Sequence, residues 1–126
     1  MASIHLASSI THAMEDPEFS REMRYFDGRL KIGAYGDETV AEFHDGKLAR
    51  VAVEDTPDAD CKIIIRGTAE LWDNLLARYP VPFYQCLQTC NIKHGLEMST
   101  TNETYAYLPA LNRLVQILRA EKNEGS

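Results

Sequence analysis

Ala59-Asp60-Cys61-Lys62-Ile63-Ile64-Ile65-Arg66-Gly67-Thr68 runs without a spacer into Ala69-Glu70-Leu71-Trp72-Asp73-Asn74-Leu75-Leu76. A β-branched run that ends at a glycine and a capping threonine, followed by apolar residues at helical spacing, predicts a strand that hands over directly to an amphipathic helix. Ile63-Ile64-Ile65 is apolar on both faces, the pattern of a strand with neighbours on each side.

Upstream, three strand-like runs occupy Arg29 to Tyr35, Glu38 to His44 and Lys47 to Glu54, separated by Gly36-Asp37 and Asp45-Gly46. Short alternating runs joined by Gly-Asp and Asp-Gly turns predict an antiparallel meander. In the second run Thr39, Ala41 and Phe43 share the inward face, and Val40, Glu42 and His44 the outer one. The third sends Ala49, Val51 and Val53 to one side.

Helices are expected around this sheet. Asp16-Pro17-Glu18 is a helix start, with a capping aspartate, proline in the first turn and an acid behind it, and Phe19, Met23 and Phe26 follow on one face. The helix from Ala69 carries Leu71, Trp72, Leu75, Leu76 and Tyr79, and ends at Tyr79-Pro80. Val81-Pro82 opens another, with Phe83, Cys86, Leu87 and Cys90 on one side. Gly95 to Thr100 alternates as a strand with Leu96 and Met98 inward. The last helix, from about Asn102, spaces Tyr107, Leu111, Leu114 and Leu118 along one face, with Pro109 either kinking it or marking its true start.

The order of these elements, with Phe26-Asp27-Gly28 opening the sheet, Ala59-Asp60 before the isoleucine strand, Leu71-Trp72 in the next helix and Leu108-Pro109-Ala110-Leu111 near the end, resembles the sterol-carrier-protein-2-like (SCP2-like) domain family. The resemblance covers roughly residues 8 to 120. It implies an α+β fold, a mostly antiparallel sheet of about five strands covered by helices, in which a tunnel between sheet and helices holds a fatty acyl chain, a sterol or a similar ligand, with the last helix near its mouth. Carried over, the lining candidates are Phe43, Trp72, Leu75, Leu76, Phe83, Leu87, Met98, Leu108 and Leu111. The family commonly has a glycine followed by an acid or amide before the terminal helix. Here Thr101-Asn102 stands in that place, which keeps a capping amide but adds bulk to the backbone.

The chain of 126 residues is expected to be one domain, with residues 121–126 a solvated tail that begins in composition at Ala120. With 13 Lys and Arg against 19 Asp and Glu, the net charge of -6 argues against nucleic acid and anionic membrane surfaces as main partners. No apolar window is long enough to span a membrane, so no stable membrane insertion is expected. The N-terminus shows no secretory pattern, the C-terminal Glu124-Gly125-Ser126 is not a peroxisomal address, and three cysteines lie inside apolar patterns, so a reducing cytoplasm is the expected location.

Chemistry-bearing motifs are sparse. His12, His44 and His94 are scattered, Cys86 and Cys90 read as two small buried hydrophobes, and neither a metal nor a cofactor is expected. Phosphate loops, nucleophile elbows and HExxH helices are missing from the sequence. The aromatic residues of the C-terminal half, Trp72, Tyr79, Phe83, Tyr84, Tyr105 and Tyr107 among them, either fill an ordinary core or wall a cavity. Three functions follow as expectations. The first is binding of an apolar small molecule, as a carrier or accessory protein. The second is a small cofactor-free enzyme, an isomerase, dehydratase or hydrolase, with His94, Glu97, Tyr105 or Tyr107 as acid or base. The third is an interaction module that binds a protein partner or forms a homodimer.

Overall fold

Two tight turns shape one side of the sheet. In the computed structural model, which describes residues 5–124, Tyr35 and Gly36 take left-handed φ values of 55° and 85°, and Asp45 and Gly46 values of 51° and 78°. Paired positive φ values match the right-handed twist of the strands they join. The strands β1 (Gly28–Ala34), β2 (Asp37–His44) and β3 (Lys47–Val53) therefore form the expected antiparallel meander. The second turn is the predicted Asp45-Gly46. The first falls on Tyr35-Gly36 instead of Gly36-Asp37, and Asp37 opens β2 opposite Ala34.

After the meander the chain crosses back through a short 3-10 turn at Asp58–Asp60, and β4 (Ile63–Arg66) lies parallel to β1 with Ile65 opposite Ile32. β5 (Glu97–Met98) pairs antiparallel with β4. The five strands lie in the order β3-β2-β1-β4-β5, mostly antiparallel with one parallel pair. β4 is flanked on both sides, as its triple isoleucine predicts, and β1 holds the middle. β5 is much shorter than the predicted Gly95 to Thr100. The Ser99 hydroxyl, not a main-chain carbonyl, takes the N–H of Ile64 at 2.9 Å, and Thr101 already caps the next helix through the N–H of Thr104.

One sheet face is apolar and carries Leu30, Ile32, Ala34, Ala41, Phe43, Ile63 and Ile65, all buried in a single core. In β3 a bulge opposite Glu42 and Phe43 pairs Leu48 with Phe43 and Val51 with Ala41, so Leu48 joins Val51 against the core and Ala49 turns to solvent. The opposite face is not simply solvated. The connection over residues 54–62 lies across it, burying Lys31, Val40 and Thr56.

Among the described residues six helices accompany the sheet: α1 (Leu6–Ala13), α2 (Pro17–Glu22), α3 (Ala69–Leu75), α4 (Leu87–His94), α5 (Asn102–Ala106) and α6 (Leu108–Asn123). α1 was not predicted; it buries Leu6, Ile10 and Ala13. α2 starts as expected, with the Asp16 carboxylate accepting the N–H of Phe19 at 2.9 Å. α3 ends at Leu75, short of Tyr79, because side chains of α6 take its last carbonyls. Arg119 donates to Leu75 O at 2.6 and 3.1 Å, and Asn123 donates to Leu76 O at 2.9 Å. α4 begins at Leu87, well after the predicted Val81-Pro82, because Phe83 holds a φ of 72° that no helix accommodates. Pro109 marks the true start of α6, which packs on α1, α2, α4 and α5 and continues through Asn123, into the stretch read as a tail. Gly125 and Ser126 lie outside the described residues. Among the described residues no helix is long and apolar enough to cross a membrane.

Candidate functional site

The lining candidates converge, but as packing. Phe43, Trp72, Leu75, Leu76, Leu87 and Leu111 are all buried in the core between the apolar sheet face and the helices. Met98 and Leu108 are half-buried, and Phe83 is 46 % exposed on the segment between α3 and α4. The indole N–H of Trp72 donates to Gly33 O at 2.9 Å, which fixes α3 against the middle strand. Gly67, the hinge between β4 and α3, donates its N–H to the same carbonyl at 3.0 Å.

A path of aromatic rings leads from this interior to the surface. Phe43 meets Phe26 edge-on, with centroids 5.5 Å apart, and Phe26 meets Tyr107 edge-on at 5.0 Å. Phe26 and Tyr107 line a surface cleft of about 250 Å³ together with Tyr25, Asp27, Lys62, Asn102, Glu103 and Ala106. Tyr107 owes its position to the break between α5 and α6, and burial, with a smaller contribution from Glu103, raises the pKa of its hydroxyl. Thr101 caps α5, and its hydroxyl also donates to Lys62 O at 3.0 Å, so the Thr101-Asn102 pair ties this cleft to the start of β4.

The four acid/base candidates do not form one group. His94 and Glu97 line a different cleft, of about 390 Å³, with Arg66, Gly67, Thr68, Glu70, Leu71, Tyr84 and Gly95. There the His94 ring stacks on Tyr84 with centroids 3.7 Å apart and planes 8° from parallel, and Glu97 faces Arg66 at 3.5 Å. Tyr107 belongs to the smaller cleft, and Tyr105 is exposed on α5. Phe26, which sequence reasoning did not put forward as a site residue, lines the smaller cleft beside Tyr25 and Tyr107, and Tyr84, named only among the aromatics that fill a core or wall a cavity, lines the larger one. Phe26 carried a signal in its position directly before Asp27-Gly28 at the start of the sheet.

Charge concentrates elsewhere, on the sheet face crossed by residues 54–62. Arg66 holds Glu38 at 2.6 Å and Asp58 at 2.9 Å. Lys31, only 2 % exposed, donates to Asp58 at 2.7 Å and to the carbonyl of Thr56, with Glu38 at 3.4 Å. The hydrogen bond from Arg66, then that from Lys31, lowers Asp58 to about 2. Burial alone would lower the pKa of Lys31, and the two carboxylates more than offset it, so the ammonium stays charged. These groups pin a connection, and Arg66 also lines the cleft of His94 and Glu97. Among the described residues no group of three or more His, Cys, Asp or Glu side chains is placed to hold a metal ion. Burial pushes the Cys90 thiol up to about 11, which leaves it a poor nucleophile.

A meander followed by a parallel crossover strand, a helix leaving that strand at once, and a long C-terminal helix across the helical layer define the SCP2-like fold. The chain superposes on sterol carrier protein 2 with a TM-score of 0.68 and 16 % identity, covering 93 % of this chain and 95 % of that one. It superposes with a TM-score of 0.67 and 12 % identity on a conserved hypothetical protein of Thermus thermophilus described as possibly a sterol carrier protein, over 100 % of this chain and 93 % of that one. The UbiJ-SCP2 ubiquinone synthesis protein follows with a TM-score of 0.55 and 16 % identity, over 92 % of this chain and 97 % of that one. No family model matches the chain, and no curated protein matches it by sequence. What it shares with these structures at such identities is the fold.

Proposed function

We propose that this protein binds an apolar small molecule, of lipid, fatty acyl or sterol-like character, between its sheet and its helices, as a carrier or accessory protein. The observation that carries this reading is the end-to-end likeness to sterol carrier protein 2, which spans 93 % of this chain and 95 % of that one. The proposed walls are the side chains that the resemblance implies: Phe43, Trp72, Leu75, Leu76, Leu87 and Leu111 from the core, with Phe83, Met98 and Leu108 nearer the surface. The driving force is burial of the ligand's hydrocarbon, worth about 25 cal/mol for each Å² removed from water.

Because the core side chains are packed together, admission requires the helical layer to part. The Tyr107 break between α5 and α6, at the outer end of the Phe43–Phe26–Tyr107 path, is a point at which the layer is discontinuous. The test is native mass spectrometry of protein purified without detergent, with extraction of whatever co-purifies. A stoichiometric lipid-like molecule supports the reading. An empty protein whose thermal midpoint is also unmoved by a long-chain fatty acid, a sterol and an isoprenoid quinone overturns it.

A further inference from the structure

α6 turns two stripes toward the rest of the protein. Leu111, Leu114, Val115 and Leu118 enter the core, while Gln116, Arg119, Ala120 and Asn123, at the helical spacing i, i+3, i+4 and i+7, form a second stripe that meets the chain leaving α3. Between this stripe and Arg78 lies a surface cleft of about 360 Å³.

Main-chain carbonyls orient both arginines. Arg119 donates from Nε and Nη2 to Leu75 O at 3.1 and 2.6 Å, and its Nη2 also reaches Tyr84 O at 3.4 Å and Gln85 O at 3.2 Å. Arg78 donates from Nη2 to Asn123 O at 2.9 Å. Among the described residues no acceptor takes Nη1 of Arg119, or Nε and Nη1 of Arg78. A guanidinium carries five N–H groups in a rigid fork, so fixing one edge presents the other.

The two arginines also lack a counter-ion. Arg21, Arg29, Arg50, Arg66 and Arg113 each face a carboxylate within 4.0 Å, and Arg24 lies over the Tyr25 ring. Among the described residues neither Arg78 nor Arg119 has a carboxylate so close. Of the acids near them in sequence or on α6, Asp73 faces Lys122, Glu121 faces His12, and Glu124 is exposed beyond the end of the helix. Burial lowers the pKa of Arg119, whereas hydrogen bonds to carboxylates raise those of Arg66 and Arg113. The carbonyl ends of α3 and α6 bring about half a negative charge each, so two guanidiniums leave the cleft with an excess of about one positive charge.

We propose that the cleft between Arg78 and Arg119 binds the phosphate group of a phosphomonoester, with the free guanidinium edges on its oxygens and the Gln116 side-chain amide beside them. Two forks reaching in from separate elements suit a tetrahedral dianion better than a planar carboxylate, which one fork already satisfies. The volume of about 360 Å³ exceeds what a bare phosphate fills and leaves room for an organic remainder against Ala120. None of the proposed interior walls lines this cleft, so the site stands independently of what the core binds.

The test is a heteronuclear NMR titration of the 126-residue chain, stripped of co-purifying molecules, with inorganic phosphate, glycerol 3-phosphate, dihexanoyl phosphatidic acid and, as reference, chloride at equal ionic strength. At least one of the two esters should give saturable shifts centred on Arg78, Gln116, Arg119 and Ala120 that chloride does not reproduce. Saturation by glycerol 3-phosphate places the phosphate on a soluble ester, and saturation by phosphatidic acid alone places it on a lipid headgroup. Arg78→Ala should weaken binding at least about tenfold through the loss of charge-assisted hydrogen bonds. Arg119→Ala would also free the carbonyls that end α3, so Gln116→Glu is the second variant. Its carboxylate keeps an acceptor for Arg113 while adding negative charge to the cleft, and it too should cost at least about tenfold. Arg50→Ala, which removes a cation from β3, should change affinity by less than about twofold, because salt screens so remote a charge. No saturable binding of either ester, shifts that chloride reproduces, tighter binding of inorganic phosphate than of either ester, or equal losses for Arg50→Ala and Arg78→Ala overturns the proposal.

Discussion

The ammonium of Lys31 donates to the carboxylate of Asp58 at 2.7 Å, joining the middle strand to a connection that would otherwise lie loosely over the sheet. Lys31 stands opposite Val40 in β2 and beside Ile64 in β4, so its stem is packed among apolar neighbours while its head holds Thr56, Asp58 and Glu38. Lys31→Ala removes both and should cost about 2–3 kcal/mol in urea unfolding. Lys31→Met keeps the stem, and because Arg66 still neutralises Asp58 and Glu38, it should cost less than half as much. Equal losses for the two variants would show that the charge, not the packing, is what the site requires.

Acid should loosen the protein in a defined window. Arg113, then the N–H of Phe19, lowers Asp16 from 3.8 to about 2, and Arg66, then Lys31, does the same for Asp58. Arg66 also lowers Glu38, and Lys122 lowers Asp73. In this window the unfolded chain binds more protons than the folded one, so the contribution is fully present above the ordinary carboxylate range and is lost as pH falls through about 2. Thermal midpoints measured from pH 5 down to pH 2 should fall, and Asp16→Asn combined with Asp58→Asn should flatten that fall while lowering the midpoint at neutral pH. A double variant with the parent's acid slope would remove these two groups from the explanation.

The meander was legible because its punctuation is local. Asp45-Gly46 needs positive φ and the sequence supplies residues that tolerate it, and the alternation of β2 reports its inward face directly. Lys31 was not legible, since a lysine in a strand is ordinarily solvated and the connection that buries it arrives from residues 54–62. α1 escaped notice because Ser8, Ser9 and Thr11 dilute its apolar spacing, and Ser9 is buried with Leu6 and Ile10. The start of α4 was misplaced because a conformation unusual for phenylalanine at Phe83, sustained by Gln85 and Thr89, leaves no trace in periodicity. For the candidate site, the lining residues came from the resemblance, and Phe43, Trp72, Leu75, Leu76, Leu87 and Leu111 among them share the core, but nothing in the sequence indicated that His94 and Tyr107 would fall in separate clefts, which depends on how α4 and α6 pack.

Two turn glycines should respond differently to the same substitution. Gly36 and Gly46 both have positive φ, 85° and 78°, but a Cβ on Gly36 meets nothing within 4 Å, whereas one on Gly46 would lie 2.3 Å from the backbone of Arg24. Gly36→Ala should therefore cost about 1 kcal/mol, the conformational penalty alone. Gly46→Ala must also push α2's exit away from the β2–β3 turn and strain the bond from Gly46 N to Phe26 O, so it should cost more than twice that. Similar urea midpoints for the two variants would show that the Arg24 backbone moves aside freely.

The bond between Trp72 and Gly33 sets the last expectation. Trp72 is the single tryptophan, is buried, and spans from α3 to the middle strand through its indole N–H. In Trp72→Phe that donor is lost, but Gly33 O keeps the N–H of Gly67, so no buried acceptor is orphaned. The loss should then stay near the cost of one hydrogen bond and a modest change in volume, about 1–2 kcal/mol. Leu75→Ala, one turn along the same helix face, opens a cavity with no such compensation and should cost about 2–5 kcal/mol. If the core admits an apolar ligand, the cavity variant should regain part of its lost thermal stability on addition of a long-chain fatty acid while Trp72→Phe regains less, because its smaller loss of volume adds less room beside the proposed walls. A Trp72→Phe variant less stable than Leu75→Ala would mean that the indole tie, not the packing around it, holds α3 to the sheet.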